Sequence, residues 1–172
     1  MLKYLPLLLI FTLFSACEGN TAARKAARGE NFVSDPDHLY FKNIRARHYA
    51  GEEVAQRATI FRHDALFISD ANLRPVLIDN WLQDRAIIRF ELAKTDSEWQ
   101  LQSVVEGEGS DVELSVPPTN EELNVLRELL LGKGDLLLVL PGDTLSAFPE
   151  ASGRQAAREV LNDYLRMVGF EG

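Results

Sequence analysis

The chain has 172 residues, with 26 acidic against 18 basic side chains, a formal net charge of −8 and a single cysteine. A balance this acidic offers no general electrostatic attraction to nucleic acid, which removes that class of partner. A lone thiol closes no intramolecular disulfide, so the fold has to rest on its apolar core, and the length suits one domain rather than two.

The first 16 residues open with Lys3 as a short positive region, run through apolar residues from Leu5 to Phe14 and finish on the small Ser15 and Ala16. That is the order of charge, apolar run and small residues in a secretory signal peptide. The apolar run is well short of the roughly 20 residues that span a bilayer, which disfavours an uncleaved membrane anchor. The arrangement Leu13-Phe14-Ser15-Ala16-Cys17 resembles the lipobox of bacterial lipoprotein precursors, with Phe14 where Leu, Val or Ile is more typical. The resemblance is confined to this region. It implies that Cys17 is lipidated, carrying acyl chains such as palmitate, and becomes the new N-terminus. It also implies a place in the cell envelope, held to the membrane by lipid. Glu18 follows the cysteine in place of the aspartate that retains many lipoproteins in the inner membrane. The expected location is therefore the outer membrane facing the periplasm, if the organism is Gram-negative. Several acyl chains hold a protein stably where one does not, at about 0.8 kcal/mol per buried CH₂.

Three regions are expected: a signal peptide over 1–16, the lipidated cysteine and a flexible tether over 17–34, and a single α+β domain over 35–172. The tether lacks a sustained apolar period and would reach at most about 60 Å when extended. Its Arg24, Lys25 and Arg28 are placed to touch anionic headgroups, or simply to keep the linker solvated.

Within the domain, residues 37–50 read as a strand turning at Gly51, although Tyr40, Ile44 and His48 also share a helical face. Short β-rich runs follow at 58–63, 65–69 and 76–79. From 85 to 93 the alternation of Ala86, Ile88, Phe90 and Leu92 against Arg85, Arg89 and Glu91 predicts a half-buried strand. Trp99, Leu101, Ser103 and Val105 repeat the pattern, as do Val112, Leu114 and Val116 before Pro117-Pro118 stops the strand. Turn residues at 79–80, 95–97 and 106–111 leave no room for crossover helices, so the sheet is expected to be an antiparallel meander. Thr119 and Glu122 form a capping box ahead of the helical stripe Leu123, Leu126, Leu129 and Leu130, which ends at Gly132. Residues 136–140 read as a buried strand and 141–152 as a loop. A final helix, with Ser152 and Gln155 near its start, turns Ala156, Val160, Leu161, Tyr164, Leu165 and Val168 inward and ends at Gly169. The fold class is α+β: an antiparallel β-meander sheet with two C-terminal helices packed on it.

No motif identifies a reaction. His38, His48 and His63, with Asp35, Asp37 and Asp64 nearby, lack the short spacing that pre-arranges a zinc site, so no metal is expected. Glu106, Glu108 and Asp111 sit in a glycine-containing loop without EF-hand spacing. The Gly132-Lys133-Gly134-Asp135 stretch follows a helix instead of opening one, so it is a helix end and not a phosphate loop. Ser146 and Thr144 have no nucleophile-elbow motif around them. No catalytic residue and no cofactor is assigned.

Arg45, Arg47, Arg57 and Arg62 form the one candidate ligand-binding set, a basic stripe on adjacent strands able to grip a carboxylate or phosphate. The competing role is ordinary pairing with Glu52, Glu53 or Asp64. Trp81 is a candidate exposed anchor or a core-closing residue. The leading expectation is a non-enzymatic envelope lipoprotein that binds another protein or supports an assembly. A small-ligand or polysaccharide-binding module is the alternative, and an envelope hydrolase using His48, His63 and Asp64 is third.

Overall fold

The structure is a computed structural model and describes residues 35–54, 58–80, 85–93, 98–105 and 108–170. The signal region, Cys17, the tether, Arg57 and Trp81 lie outside the described residues.

The chain enters through α1 (Asp35–Tyr40), a wide π-type turn (Phe41–Arg45) and a short 3-10 turn (Ala46–His48). The expected strand over 37–50 is corrected accordingly: only Tyr49 onward is extended, and Gly51 lies inside a strand instead of at its turn. The reason is in the packing. Over 37–48 Phe41 alone is buried, while Leu39 and Ile44 stay exposed, so a two-residue alternation would have had no inner face to serve there.

Strands β1 (Tyr49–Val54), β2 (Ala58–His63), β3 (Leu73–Asn80) and β4 (Arg85–Leu92) form an antiparallel meander in sequence order. Registers such as Tyr49↔His63 and Leu77↔Ile88 set one face inward. That face carries Tyr49, Phe61, Leu73, Leu77, Ala86 and Ile88 into the main apolar cluster.

Between β2 and β3 stands α2 (Asp64–Ile68), where the apolar run had suggested a strand. His63 is its N-cap, and its Nδ1 accepts a hydrogen bond from the Ala65 N–H at 3.3 Å. Of the run, Leu66 is buried and Phe67 and Ile68 are exposed, the one-sided burial of a short helix.

A second antiparallel sheet has the order β6-β5-β7-β8, formed by β5 (Gln100–Val105), β6 (Glu108–Val112), β7 (Asp135–Leu140) and β8 (Asp143–Ser146). The α+β class, the antiparallel meander and the two C-terminal helices are as expected, but the strands divide between two sheets. The strand expected through Leu114 and Val116 ends at Val112, and Val116 is fully exposed. The loop expected over 141–152 begins with a strand: Pro141 and Gly142, the latter at φ 83°, make a tight turn into β8. Positive φ after proline is the geometry of a type II turn, which glycine adopts without a steric penalty.

Helix α3 (Asn120–Leu131) carries the capping box in full and buries Leu123, Leu126 and Leu130. Helix α4 (Ala151–Met167) packs on β2, β3 and β4 of the first sheet and along α2 and α3. It begins at Ala151 with no side-chain hydrogen bond at its N-cap, while Ser152 donates to Glu150 instead. Gly169, at φ 65°, follows its end as expected.

The sheets are stitched at Asn72. The Asn72 and Leu73 N–H groups both donate to the Ala147 carbonyl, at 3.0 and 3.2 Å, and Asn72 Nδ2 donates to the Ser146 carbonyl at 2.8 Å. One apolar cluster then takes in both sheets and both long helices, with Leu101 and Leu138 from the second sheet beside Val160 and Leu161 from α4. At roughly 1.5–3 kcal/mol for each large apolar side chain fully removed from water, this shared core dominates the favourable terms.

Candidate functional site

Two places concentrate chemistry. The first is an open groove of about 1000 Å³ at one end of the second sheet. The starting end of β5 and the finishing ends of β6 and β7 meet there because β5 runs antiparallel to both. Trp99, just ahead of β5, lines the groove, and its ring stands edge-on to Phe90 of β4 with centroids 5.9 Å apart. One wall is the stretch 113–116 that leaves β6.

That wall is fixed by the helix cap behind it. Glu122 Oε2 accepts from the Thr119 N–H at 2.8 Å, the Ser115 N–H at 3.1 Å and Ser115 Oγ at 2.7 Å. These donors hold the Glu122 carboxyl below the usual glutamate range, the Thr119 backbone contributing most. The capping box thus starts α3 and also pins the groove wall. Leu114 is half-buried in the groove and Val116 stands in solvent. Four carboxylates line it, from Glu98, Asp111, Glu113 and Glu122, and among the described residues that line it none is basic.

The second place is a polar cluster between the N-terminal turns and α4. Arg45 Nε reaches both Asp163 oxygens at 2.9 Å, and its outer nitrogen binds Glu159 Oε2 at 2.7 Å. Tyr49 Oη donates to Asp163 Oδ2 at 2.6 Å. Burial, then the Asp163 charge, pushes the Tyr49 hydroxyl far up, so it stays a donor. Burial also opposes the charge on Glu159, but the hydrogen bonds from Arg45 and Gln155 and the attraction of Arg45 outweigh it and keep the carboxyl below its ordinary range.

His63 borders this cluster. With Nδ1 accepting from Ala65, the neutral ring carries its proton on Nε2, which is buried 3.6 Å from Glu159 Oε2 and without a hydrogen-bond partner among the described residues. Burial, partly offset by Glu159, lowers its pKa. His48 stacks on it with ring centroids 6.3 Å apart. Of the trio His48, His63 and Asp64, the structure brings the two imidazoles together, but Glu159 and not Asp64 faces His63. No group of three or more metal-ligating side chains converges among the described residues.

The arginine set is dispersed. Arg45 serves the α4 carboxylates. Arg62 binds Glu91 and Glu52 on the outer face of the first sheet, at 3.0 and 2.6 Å; Glu52 is one of the expected cross-strand partners and Glu91 is a further one. Arg47 Nε lies 3.2 Å from His48 Nε2. Arg57 is outside the described residues.

Sequence reasoning missed the groove and also missed Arg154. The Arg154 guanidinium donates to the carbonyls of Leu129, Leu130, Gly132 and Gly134, at 2.6 to 3.0 Å, closing the end of α3 with a side chain from α4. A signal for the groove was present in the alternation Asp111-Val112-Glu113-Leu114, acidic and apolar by turns, immediately before two prolines. No protein-family model, no curated protein and no solved structure matches this chain.

Proposed function

We propose that this protein is a lipid-anchored component of the cell envelope whose folded part is a non-enzymatic binding module, docking a segment of a partner protein in the groove beside Trp99. The observation that carries this reading is the groove itself: a roomy concavity of mixed apolar and acidic lining whose wall is pinned by Glu122. Pre-organised walls reduce the ordering cost of binding. The anchor rests on the Ser15-Ala16-Cys17 pattern. Among the described residues no helix is long and apolar enough to cross a membrane. The alternative of a small ligand gripped by an arginine stripe has less support, because Arg45 and Arg62 are already committed to carboxylates.

The reading is tested in native membranes with a photo-crosslinking amino acid placed at Val116 in the groove or at Leu131 on α3. A discrete adduct from position 116, reduced by Trp99→Ala and absent from position 131, is the expected result. Adducts of equal yield from both positions would remove the groove from the account. Cys17→Ser is expected to release the protein from the membrane, and its full retention there would overturn lipidation as the anchor.

A further inference from the structure

The groove's lining also says what kind of segment fits it, an inference that rests on the docking reading above. Its apolar surface comes from Trp99 and Leu114 together with the end of β7, so it takes apolar side chains. Among the described residues that line it, the charge is of one sign. Glu98 and Glu113 are exposed, and among the described residues neither has a hydrogen-bond or ion-pair partner, whereas Asp111 accepts from Gln102 and Glu122 from Ser115 and Thr119. Several described carboxylates elsewhere are paired, as Glu52 and Glu91 are with Arg62 and Asp37 is with Arg166. At the groove, two carboxylates without partners among the described residues flank apolar surface. A site that leaves like charges side by side repels anionic chains and discriminates in favour of cationic ones.

We infer that the groove binds an extended, basic segment of a partner protein, in which Lys or Arg side chains alternate with apolar ones. The apolar side chains sit on Trp99 and Leu114 while the cations meet Glu98, Glu113 and Asp111. An extended chain suits the site because successive side chains point to opposite sides, so one face enters the groove as the other follows its acidic rim. Anionic lipid and phosphate are excluded by the same sign of charge. A second copy of the chain, at net charge −8, is disfavoured by it.

The experiment titrates two peptides, acetyl-Lys-Leu-Lys-Leu-Lys-amide and acetyl-Gln-Leu-Gln-Leu-Gln-amide, into the full chain in neutral detergent micelles, with blank micelles as reference. Affinity is read by calorimetry and location by amide chemical shifts. The lysine peptide is expected to bind, to shift resonances at 98–101 and 111–116, and to weaken with added salt. Each neutralised rim carboxylate is worth about two- to fivefold at an exposed pair, so Glu98→Gln with Glu113→Gln costs on the order of tenfold. The pair Glu53→Gln with Glu128→Gln removes the same charge away from the groove and is expected to leave affinity unchanged. Equal weakening by both pairs would reduce the effect to diffuse attraction and overturn the inference. Equal binding of the two peptides would keep the groove as a docking site but remove its preference for cations. No peptide binding, with the crosslink at Val116 intact, would overturn the basic-segment inference alone. Groove shifts that grow with protein concentration and no peptide would assign the groove to a second copy instead.

Discussion

Arg45 and Asp163 lie 118 positions apart in sequence, yet the Arg45 Nε–H points between both carboxylate oxygens, 2.9 Å from each. With Tyr49 donating to the same carboxylate and Arg45 also holding Glu159, this is a nearly closed polar network that links the N-terminal turns to α4. The Asp163 side chain is 8 % exposed and that of Arg45 is 19 % exposed, so breaking the pair strands a charge away from water. Loss of one partner from a buried pair costs about 3–5 kcal/mol, and the partial exposure of Arg45 places Asp163→Ala at the lower end, about 3 kcal/mol. Tyr49→Phe, which removes one hydrogen bond only, is expected to cost about 1–2 kcal/mol. Urea denaturation of the single and double variants checks both values. Full additivity would mean that Tyr49 and Asp163 do not act as one network.

Arg154 gives the second prediction. Its fork bonds four carbonyls at the end of α3 and in the turn into β7, where the regular helix ladder runs out of donors, although Leu129 also accepts from the Gly132 N–H. Arg154→Met keeps the aliphatic stem and loses the donors, for an expected cost of about 2–3 kcal/mol. Arg154→Lys is expected to recover little, because an ammonium on a flexible stem cannot match four acceptors with a planar fork. Thermal unfolding at fixed pH is the measurement, and for a chain of this size each 1 kcal/mol is worth about 2–4 °C in Tm. A lysine variant as stable as wild type would show that charge alone closes the helix.

His63 sets a pH dependence with a definite sign. Burial lowers its folded-state pKa below the ordinary histidine value, with Arg45 adding to that shift and Glu159 and Asp163 opposing it. His48 and Tyr49 are the remaining titratable neighbours that pack on the ring. As pH falls through the ordinary value near 6.5, the unfolded chain takes up a proton that the folded chain resists. Stability is therefore complete above that value and declines below it until the folded-state pKa has been passed. His63→Asn retains an N-cap acceptor for α2 and is expected to flatten the decline. Denaturant midpoints at pH 7.5 and pH 5.5 test this. Glu91, held low by Arg62 and Arg89, loses its contribution only below the ordinary carboxylate range, outside that window. An unchanged decline in the variant would place the pH sensitivity elsewhere.

These contacts also show how far the sequence carries. Signals within a few residues of one another survived folding: Thr119 with Glu122 started α3, Ala86 to Leu92 alternated into β4, and Gly169 followed the end of α4. The run 65–69 was legible as apolar but not as helical, because five residues fit either period and the deciding group was the His63 side chain at the cap. The stretch 37–50 failed for a related reason: its shape is set by Asp79, Asp163 and Arg166, all far along the chain, which receive His38, Arg45 and Asp37. The groove draws on three separated segments around 98–101, 111–116 and 139–141. Each was readable as a strand end, but their convergence depends on β7 inserting beside β5, which no local pattern encodes.

The contact between α2 and α4 supplies the last prediction. Gly153, in the first turn of α4, presents its bare Cα to Ser69: a Cβ built there would lie 2.5 Å from Ser69 Oγ and 3.2 Å from Ser69 Cβ. The helix has ordinary backbone geometry at this point, so the glycine is required by close approach and not by conformation. Ser69 is itself almost fully buried, and its hydroxyl has no hydrogen-bond partner among the described residues, so it has little room to turn away. Overpacking of this kind costs about 1–3 kcal/mol, which outweighs the roughly 1 kcal/mol that alanine gains over glycine within a helix. Gly153→Ala is thus expected to destabilise the protein by up to about 2 kcal/mol net. The same change in a Ser69→Gly background removes both clashing atoms, and there it is expected to be stabilising. A thermodynamic cycle over the four proteins decides the matter, since an identical effect of Gly153→Ala in both backgrounds would mean that the two helices do not meet at these residues.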